Sequence, residues 1–311
     1  MDVFFLILLN VILPVFSLIG IGVFLHRKFN FDMGTLSKIN TYLLMPAVGF
    51  VNVYESKMSG DLLLLILGFL VLQNVILVII STAVSKVLKF DNGLTATFKN
   101  SVVLSNNGNF GLPVAQLVFQ QNPLGFSIQV VVMIFQNLLT YTYGLFNAVS
   151  ASAGSKGTRV RGIFLKNPVL YAFCIGMFLH VASIKIPQFL WTPIENTANA
   201  FLAIALITLG AQSAFLKINR LSTPLVLSLL GRLVISPCTA FMVIFILNLE
   251  GTTAQALLIA SSFPTSRNSS LFALEYDNHP EYAAQVVLLS TLCSMITVTT
   301  VVYLSKILFM S

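Results

Sequence analysis

Ser105-Asn106-Asn107-Gly108-Asn109-Phe110-Gly111-Leu112-Pro113 interrupts an apolar run over 97–120 with three asparagines, two glycines and a proline. Gly108 and Gly111 loosen the backbone, and Pro113 lacks an N–H and crowds the turn before it. A helix broken in mid-run is therefore expected. Asparagines at that depth are costly against lipid, so they should face protein or a water-filled cavity. The run over 253–274 has a counterpart, Ser261-Ser262-Phe263-Pro264-Thr265-Ser266-Arg267-Asn268-Ser269-Ser270.

Outward from these two breaks the chain is apolar nearly everywhere. Hydrophobic residues make up 57% of the 311 and charged ones 9%, with a mean hydropathy of +0.91. Soluble chains carry about 25% charged residues. So apolar a chain cannot cover a water-facing surface, and lipid must be its solvent. A spanning helix needs roughly 20 mostly apolar residues. The runs 3–25, 35–54, 62–87, 97–120, 126–149, 164–183, 190–213, 222–248, 253–274 and 282–307 qualify. The expected fold is an all-α polytopic membrane protein of ten transmembrane helices, with the breaks in the fourth and ninth. Asp2 precedes the first run with no lysine or arginine, so that run reads as a spanning helix and not a signal peptide.

The two halves resemble each other. Pro14-Val15 followed by Ile21-Gly22-Val23-Phe24-Leu25-His26 returns as Pro168-Val169 followed by Ile175-Gly176-Met177-Phe178-Leu179-His180. Pro123 with Gln129-Val130-Val131-Val132 returns as Pro280 with Gln285-Val286-Val287-Leu288. Five helices per half is an odd number, so the second half would enter from the opposite side, as two inverted repeats. Ser150–Lys166, with two glycines and several basic residues, reads as the linker between them.

Charge sets the orientation. The net charge of +7 is spread over helix ends and not gathered in a nucleic-acid-binding run. One side carries Arg27, Lys28, Lys38, Lys86, Lys89, Lys99, Lys156, Arg159, Arg161, Lys166, Lys217 and Arg220; the other has Lys57, Lys185 and Lys306. Basic loops stay in the cytoplasm, so in a plasma membrane both termini are expected outside the cell and the linker in the cytoplasm.

Paired broken helices in two halves point to a binding site at mid-membrane. Pro113 and Pro264 each suit the first position of a new half-helix. The free amides and positive ends of such half-helices attract an anion, and Arg267, one turn in, adds a full charge. Asn107, Asn109 and Asn268 lie beside these positions. Gln136 and Asn137 on the fifth run either brace the break or touch the solute. Asn52 on the second run and Gln212 on the seventh belong to an opposite wall, with Asn40, Pro46, Asn199 and Thr208; each also suits a plain helix–helix hydrogen bond. Arg232 on the eighth run either lines the cavity or holds a carbonyl. Cys174, Cys238 and Cys293 are odd in number, widely spaced and inside apolar runs. They read as small packing residues, not as disulfides or metal ligands. There is no H-E-x-x-H, G-x-S-x-G or phosphate-binding G-x-x-x-x-G-K-[ST], so neither an enzyme nor an ATP-driven pump is expected, and no cofactor.

Asn107-Gly108-Asn109-Phe110-Gly111-Leu112-Pro113, the five-plus-five arrangement and the proline-broken ninth run resemble the auxin efflux carrier and malate permease family, which includes the plant PIN-FORMED carriers. The resemblance covers essentially the whole chain. It implies a fold like that of the bile acid/sodium symporters, with helices four and nine crossing at their breaks and with Asn109, Pro113 and Pro264 as crossover residues. It also implies a scaffold at 1–60 and 163–218, often dimeric, and a moving domain at 61–150 and 219–311, joined by the linker 151–162. The implied function is transport of a small mono- or dicarboxylate, such as malate, malonate or an auxin-like acid, by elevator-type alternating access. Proton or sodium coupling stays open. A sodium-coupled symporter would use the same crossover, although carboxylates to help hold the cation are not evident there; a non-transporting membrane receptor is the other alternative.

Overall fold

A computed structural model describes residues 3–55, 59–151, 168–215 and 221–309. The linker 151–162 and the basic residues Lys156, Arg159, Arg161, Lys166, Lys217 and Arg220, with Lys57, lie outside the described residues apart from Ala151. Among the described residues every regular element is a helix.

The helices are α1 (Phe4–Phe29), α2 (33–54), α3 (Gly60–Val87), α4 (Asn92–Val103), α5 (107–118) and α6 (Pro123–Ala151). After the linker come α7 (Pro168–Val181), α8 (Gln188–Ser213), α9 (Thr223–Ile246), α10 (Gly251–Ser261), α11 (Arg267–Glu275) and α12 (Pro280–Phe309). Six of them, α1, α3, α6, α8, α9 and α12, are long and apolar enough to cross a bilayer. The fourth and ninth runs fall short because each is cut into two pieces.

Four prolines are absorbed within helices by a recurring device, whereas Pro193 sits inside α8 without it. Pro14, Pro46, Pro113 and Pro237 each sit two residues past a π-helical turn, at Leu8–Ile12, Asn40–Leu44, Asn107–Gly111 and Gly231–Ile235 respectively. A proline cannot donate to the carbonyl four residues back, and its ring crowds it. Widening the turn by one residue relieves the crowding without ending the helix.

The described residues gather into two compact units. One holds those within Met1–Gly60, Gly108–Ile134 and Lys166–Phe215. In it α1 lies against α8, and α2 against α7 and α8. The α1–α8 contact is backbone to backbone: a Cβ on Gly22 would stand 2.1 Å from the Ile207 carbonyl oxygen, and one on Gly210 only 1.9 Å from that of Ile19. The core is filled by Leu44, Val48, Leu112, Val130, Met133, Phe201 and Ala205. Polar ties are few. Asn40 Nδ2 donates to Thr208 Oγ1 at 2.9 Å, Arg27 Nε to the Ala214 carbonyl at 3.0 Å, and the Tyr54 hydroxyl to the Ile184 carbonyl at 3.0 Å.

The other unit holds the described residues within Asp61–Asn107, Phe135–Leu165 and Leu216–Ser311. Leu77, Phe98, Val102, Val103 and Leu104 form its core with Leu139, Tyr143 and Leu227 around them. Asp91 caps α4 by accepting from the Leu94 amide at 2.9 Å, and its carboxylate meets His279 Nε2 at 3.1 Å. That amide first, and then the histidine, hold the Asp91 carboxyl below the ordinary aspartate range. Buried amides brace the same end: Asn100 Nδ2 donates to the Gly144 carbonyl at 2.9 Å, and Asn278 Nδ2 to that of Ala148 at 2.8 Å.

The cysteines differ from expectation. Cys174, Cys238 and Cys293 are free and exposed, not packed in a core. Outward faces of spanning helices meet lipid tails as apolar as a core, so a small apolar residue is as well suited there.

Candidate functional site: the paired helix breaks

Both breaks are present, and within the second unit they are joined. The backbone leaves the helix after Val103 and again after Ser261. Asn106 N then donates to the Pro264 carbonyl, and Ser266 N to the Leu104 carbonyl, each at 2.8 Å. Ser105 and Thr265 thus face each other as one antiparallel bridge. Buried backbone groups that leave a helix must find partners, and here each break supplies them to the other.

Carbonyls at the end of α4 are satisfied one by one. Leu104 N takes that of Asn100 at 3.0 Å, and Thr265 Oγ1 donates to that of Ser101 at 2.8 Å. Arg232 Nη1 donates to Val102 at 2.9 Å and, more weakly, to Val103 at 3.4 Å. Its Nη2 reaches the Ser261 carbonyl at the end of α10 and Ser236 Oγ at 2.5 Å. Arg232 is 2% exposed, and its Nε has no acceptor. Of the two roles the sequence leaves open for this arginine, holding carbonyls is the one seen.

The breaks fall elsewhere than the prolines suggest. The helix after the first break starts at Asn107, so Pro113 lies in its second turn, behind the π-helical turn Asn107–Gly111. Pro264 lies inside the unwound segment, and α11 starts at Arg267. Neither proline opens a half-helix. Pro264 needs extended backbone in the residue before it and offers its carbonyl to the bridge. The cap of α11 is Ser266, whose Oγ accepts from Asn268 N at 3.3 Å.

The remaining candidates are placed as follows. In the second unit, Asn107 is buried and its amide bonds Ser105 Oγ. Gln136 Nε2 reaches Asn74 Oδ1 at 3.5 Å, while its Oε1 has no partner. Asn137 and Asn268 are half-buried. Arg267, on the first turn of α11, is also half-buried, and among the described residues its guanidinium makes no hydrogen bond or ion pair. In the first unit, Asn109 and Gln212 each hold a buried side-chain oxygen without a partner, whereas Asn52 Nδ2 bonds the Val48 carbonyl of its own helix at 2.8 Å. Asn109 and Gln212 thus have bonding capacity to spare; Asn52 has spent its amide on α2.

Thr265, inside the quoted second interruption, and Ser236 and Ser290 outside it have no role legible in the sequence; Ser290 Oγ accepts from Thr265 N at 3.1 Å. The signal available was the density of small hydroxyl residues on the helices that flank the breaks.

A family model described as "Membrane transport protein" matches residues 7–302. An "Uncharacterized transporter" of Methanothermobacter thermautotrophicus is 24% identical over 308 residues, covering 96% of this chain and 94% of the relative. A protein of Rhizobium meliloti described as "Putative malonate transporter" is 25% identical over 317 residues, with 96% and 95% covered. An uncharacterized transporter of Methanocaldococcus jannaschii is 23% identical over 313 residues, with 96% of each chain covered.

Proposed function

This chain belongs to the membrane transport protein family, the auxin efflux carrier and malate permease group, and from that membership we propose that it is a secondary transporter of a small organic anion. The family and the relatives are transporters, not enzymes. The observation that carries the choice of an anion is Arg267, a half-buried guanidinium on the first turn of α11 that makes no hydrogen bond or ion pair among the described residues and has Tyr141 as its electrostatic neighbour. The positive end of the helix dipole adds to its charge. A carboxylate relieves that potential, a cation meets repulsion, and a neutral solute gains little.

In the second unit Asn107, Gln136, Asn137 and Asn268 are proposed as polar contacts, with Pro264 shaping the backbone; in the first, Asn109 and Gln212 are proposed, with Pro113 shaping the backbone and Asn52 as the weakest member. The relative described as a malonate transporter favours a dicarboxylate. Thermal unfolding of the purified protein should rise with added malonate or malate, and less with indole-acetate, as ligand binding to the folded state requires. An organic cation that stabilises it while every acid fails would overturn the reading.

Counting α4–α5 and α10–α11 as one broken span each, we propose ten passes in two inverted repeats, working by elevator-type alternating access with both termini outside. In a background free of the native cysteines, Lys185→Cys should react with an impermeant maleimide on intact cells. Lys86→Cys should stay unlabelled until the membrane is opened. The opposite pattern would reverse the orientation.

A further inference from the structure

Arg232 is a buried cation that faces no carboxylate among the described residues; its acceptors are carbonyl and hydroxyl oxygens. The carbonyls come from two helix ends, and the hydroxyl from Ser236 on the arginine's own helix. Val102 and Val103 close α4, and Ser261 closes α10. Each helix C-terminus carries about half a negative charge, so two such ends together are offset by about one positive charge, which is what a guanidinium supplies. Ser236 Oγ bonds the same Ser261 carbonyl at 2.9 Å and completes an all-oxygen cage. Carbonyls at the C-terminal ends of broken helices are the groups that hold a coupling sodium ion in other transporters. The π-helical turn Gly231–Ile235, ahead of Pro237, carries Arg232.

We propose that Arg232 is a tethered cation: its guanidinium occupies the position where the ends of α4 and α10 would otherwise hold a free monovalent cation, so this chain needs no sodium there. Removing the side chain then creates a cation-binding vacancy. The bearing on coupling rests on the transporter reading; the charge balance at the helix ends does not.

The test needs no substrate. Thermal midpoints of the purified full-length protein are compared in choline, sodium and guanidinium chloride, all at one low concentration. Wild type should show equal midpoints in choline and sodium. Arg232→Met keeps most of the bulk without the charge and should fall by about 5–10 °C in choline, the scale expected when a buried charge is removed from its partners. Arg232→Ala should fall as far in choline and recover at least half of the loss in guanidinium or sodium. Arg232→Lys should stay closer to wild type than Arg232→Met does.

Three results would overturn the proposal: Arg232→Met as stable as wild type, Arg232→Ala indifferent to the cation, or wild type stabilised by sodium over choline. If Arg232→Ala yields no folded protein, the lysine–methionine pair decides, and equal midpoints for those two count against the proposal. Failure here leaves anion transport standing, and failure of the acid screen leaves the role of Arg232 standing.

Discussion

Valine at Gly210 will leave little or no folded protein to purify. The Cβ alone would stand 1.9 Å from the Ile19 carbonyl oxygen, and 2.8 Å from its carbon. These are backbone atoms, which cannot turn aside as a side chain can. α1 and α8 would have to separate by more than an ångström, and the reciprocal contact of Gly22 with Ile207 would open with them. Membrane helices lack a hydrophobic force drawing them together and depend on such close packing. Overpacking a tight contact costs about 1–3 kcal/mol and sometimes more; a backbone clash of this depth belongs at or beyond the upper end. Gly20 is the control, because a Cβ there meets nothing within 4 Å. Gly20→Val should elute as a single species with a near wild-type midpoint, while Gly210→Val aggregates. Recovery of Gly210→Val with an unchanged midpoint would mean that the two helices do not meet this way.

The second large effect concerns binding. Arg267→Ala should weaken dicarboxylates such as malate and malonate by roughly 10- to 100-fold, the equivalent of a hydrogen bond to a charged group at about 1.5–3 kcal/mol. A monocarboxylate such as indole-acetate should lose less, because it has no second carboxylate to claim the guanidinium. Asn109→Ala removes a neutral amide, so it should weaken both classes about equally. Calorimetry on the two variants with the three acids separates these outcomes. Unchanged affinity in both variants would put the site elsewhere. Thermal midpoints without ligand should stay close to wild type, since among the described residues Arg267 has no hydrogen bond or ion pair to lose.

Much of the fold was legible from hydropathy and from the two polar interruptions, because lipid leaves so few alternatives to a helix. The exact place of the breaks was not. Proline marks a missing N–H, but a π-helical turn can absorb that defect a residue or two earlier, as it does before Pro14, Pro46, Pro113 and Pro237. The chain therefore unwinds at Leu104–Asn106, at the leading edge of the polar stretch and ahead of its glycines and proline. Nor was the role of Arg232 legible, because a lone arginine in an apolar run reads the same whether it meets solute or carbonyls. The exposed cysteines were misread for a related reason: in a membrane, an apolar run does not tell inside from outside.

The bridge between Leu104–Asn106 and Pro264–Ser266 also bears on the order in which the protein is made. Among the described residues, what satisfies the end of α4 and the break after it, beyond α4's own last turn, comes from the later half of the chain: Arg232, Thr265, and the backbone of Pro264 and Ser266. A chain emerging from the ribosome has none of these while α4 is already leaving the exit tunnel, and domains are laid down from the N-terminus onward. The opened end of α4 cannot be complete until Pro264–Ser266 have arrived. In the interval its carbonyls must be met by an unbroken helix, by water or by the insertion machinery. Assembly of the two breaks is thus a single late event, and a chain halted before residue 264 has no bridge between them at all.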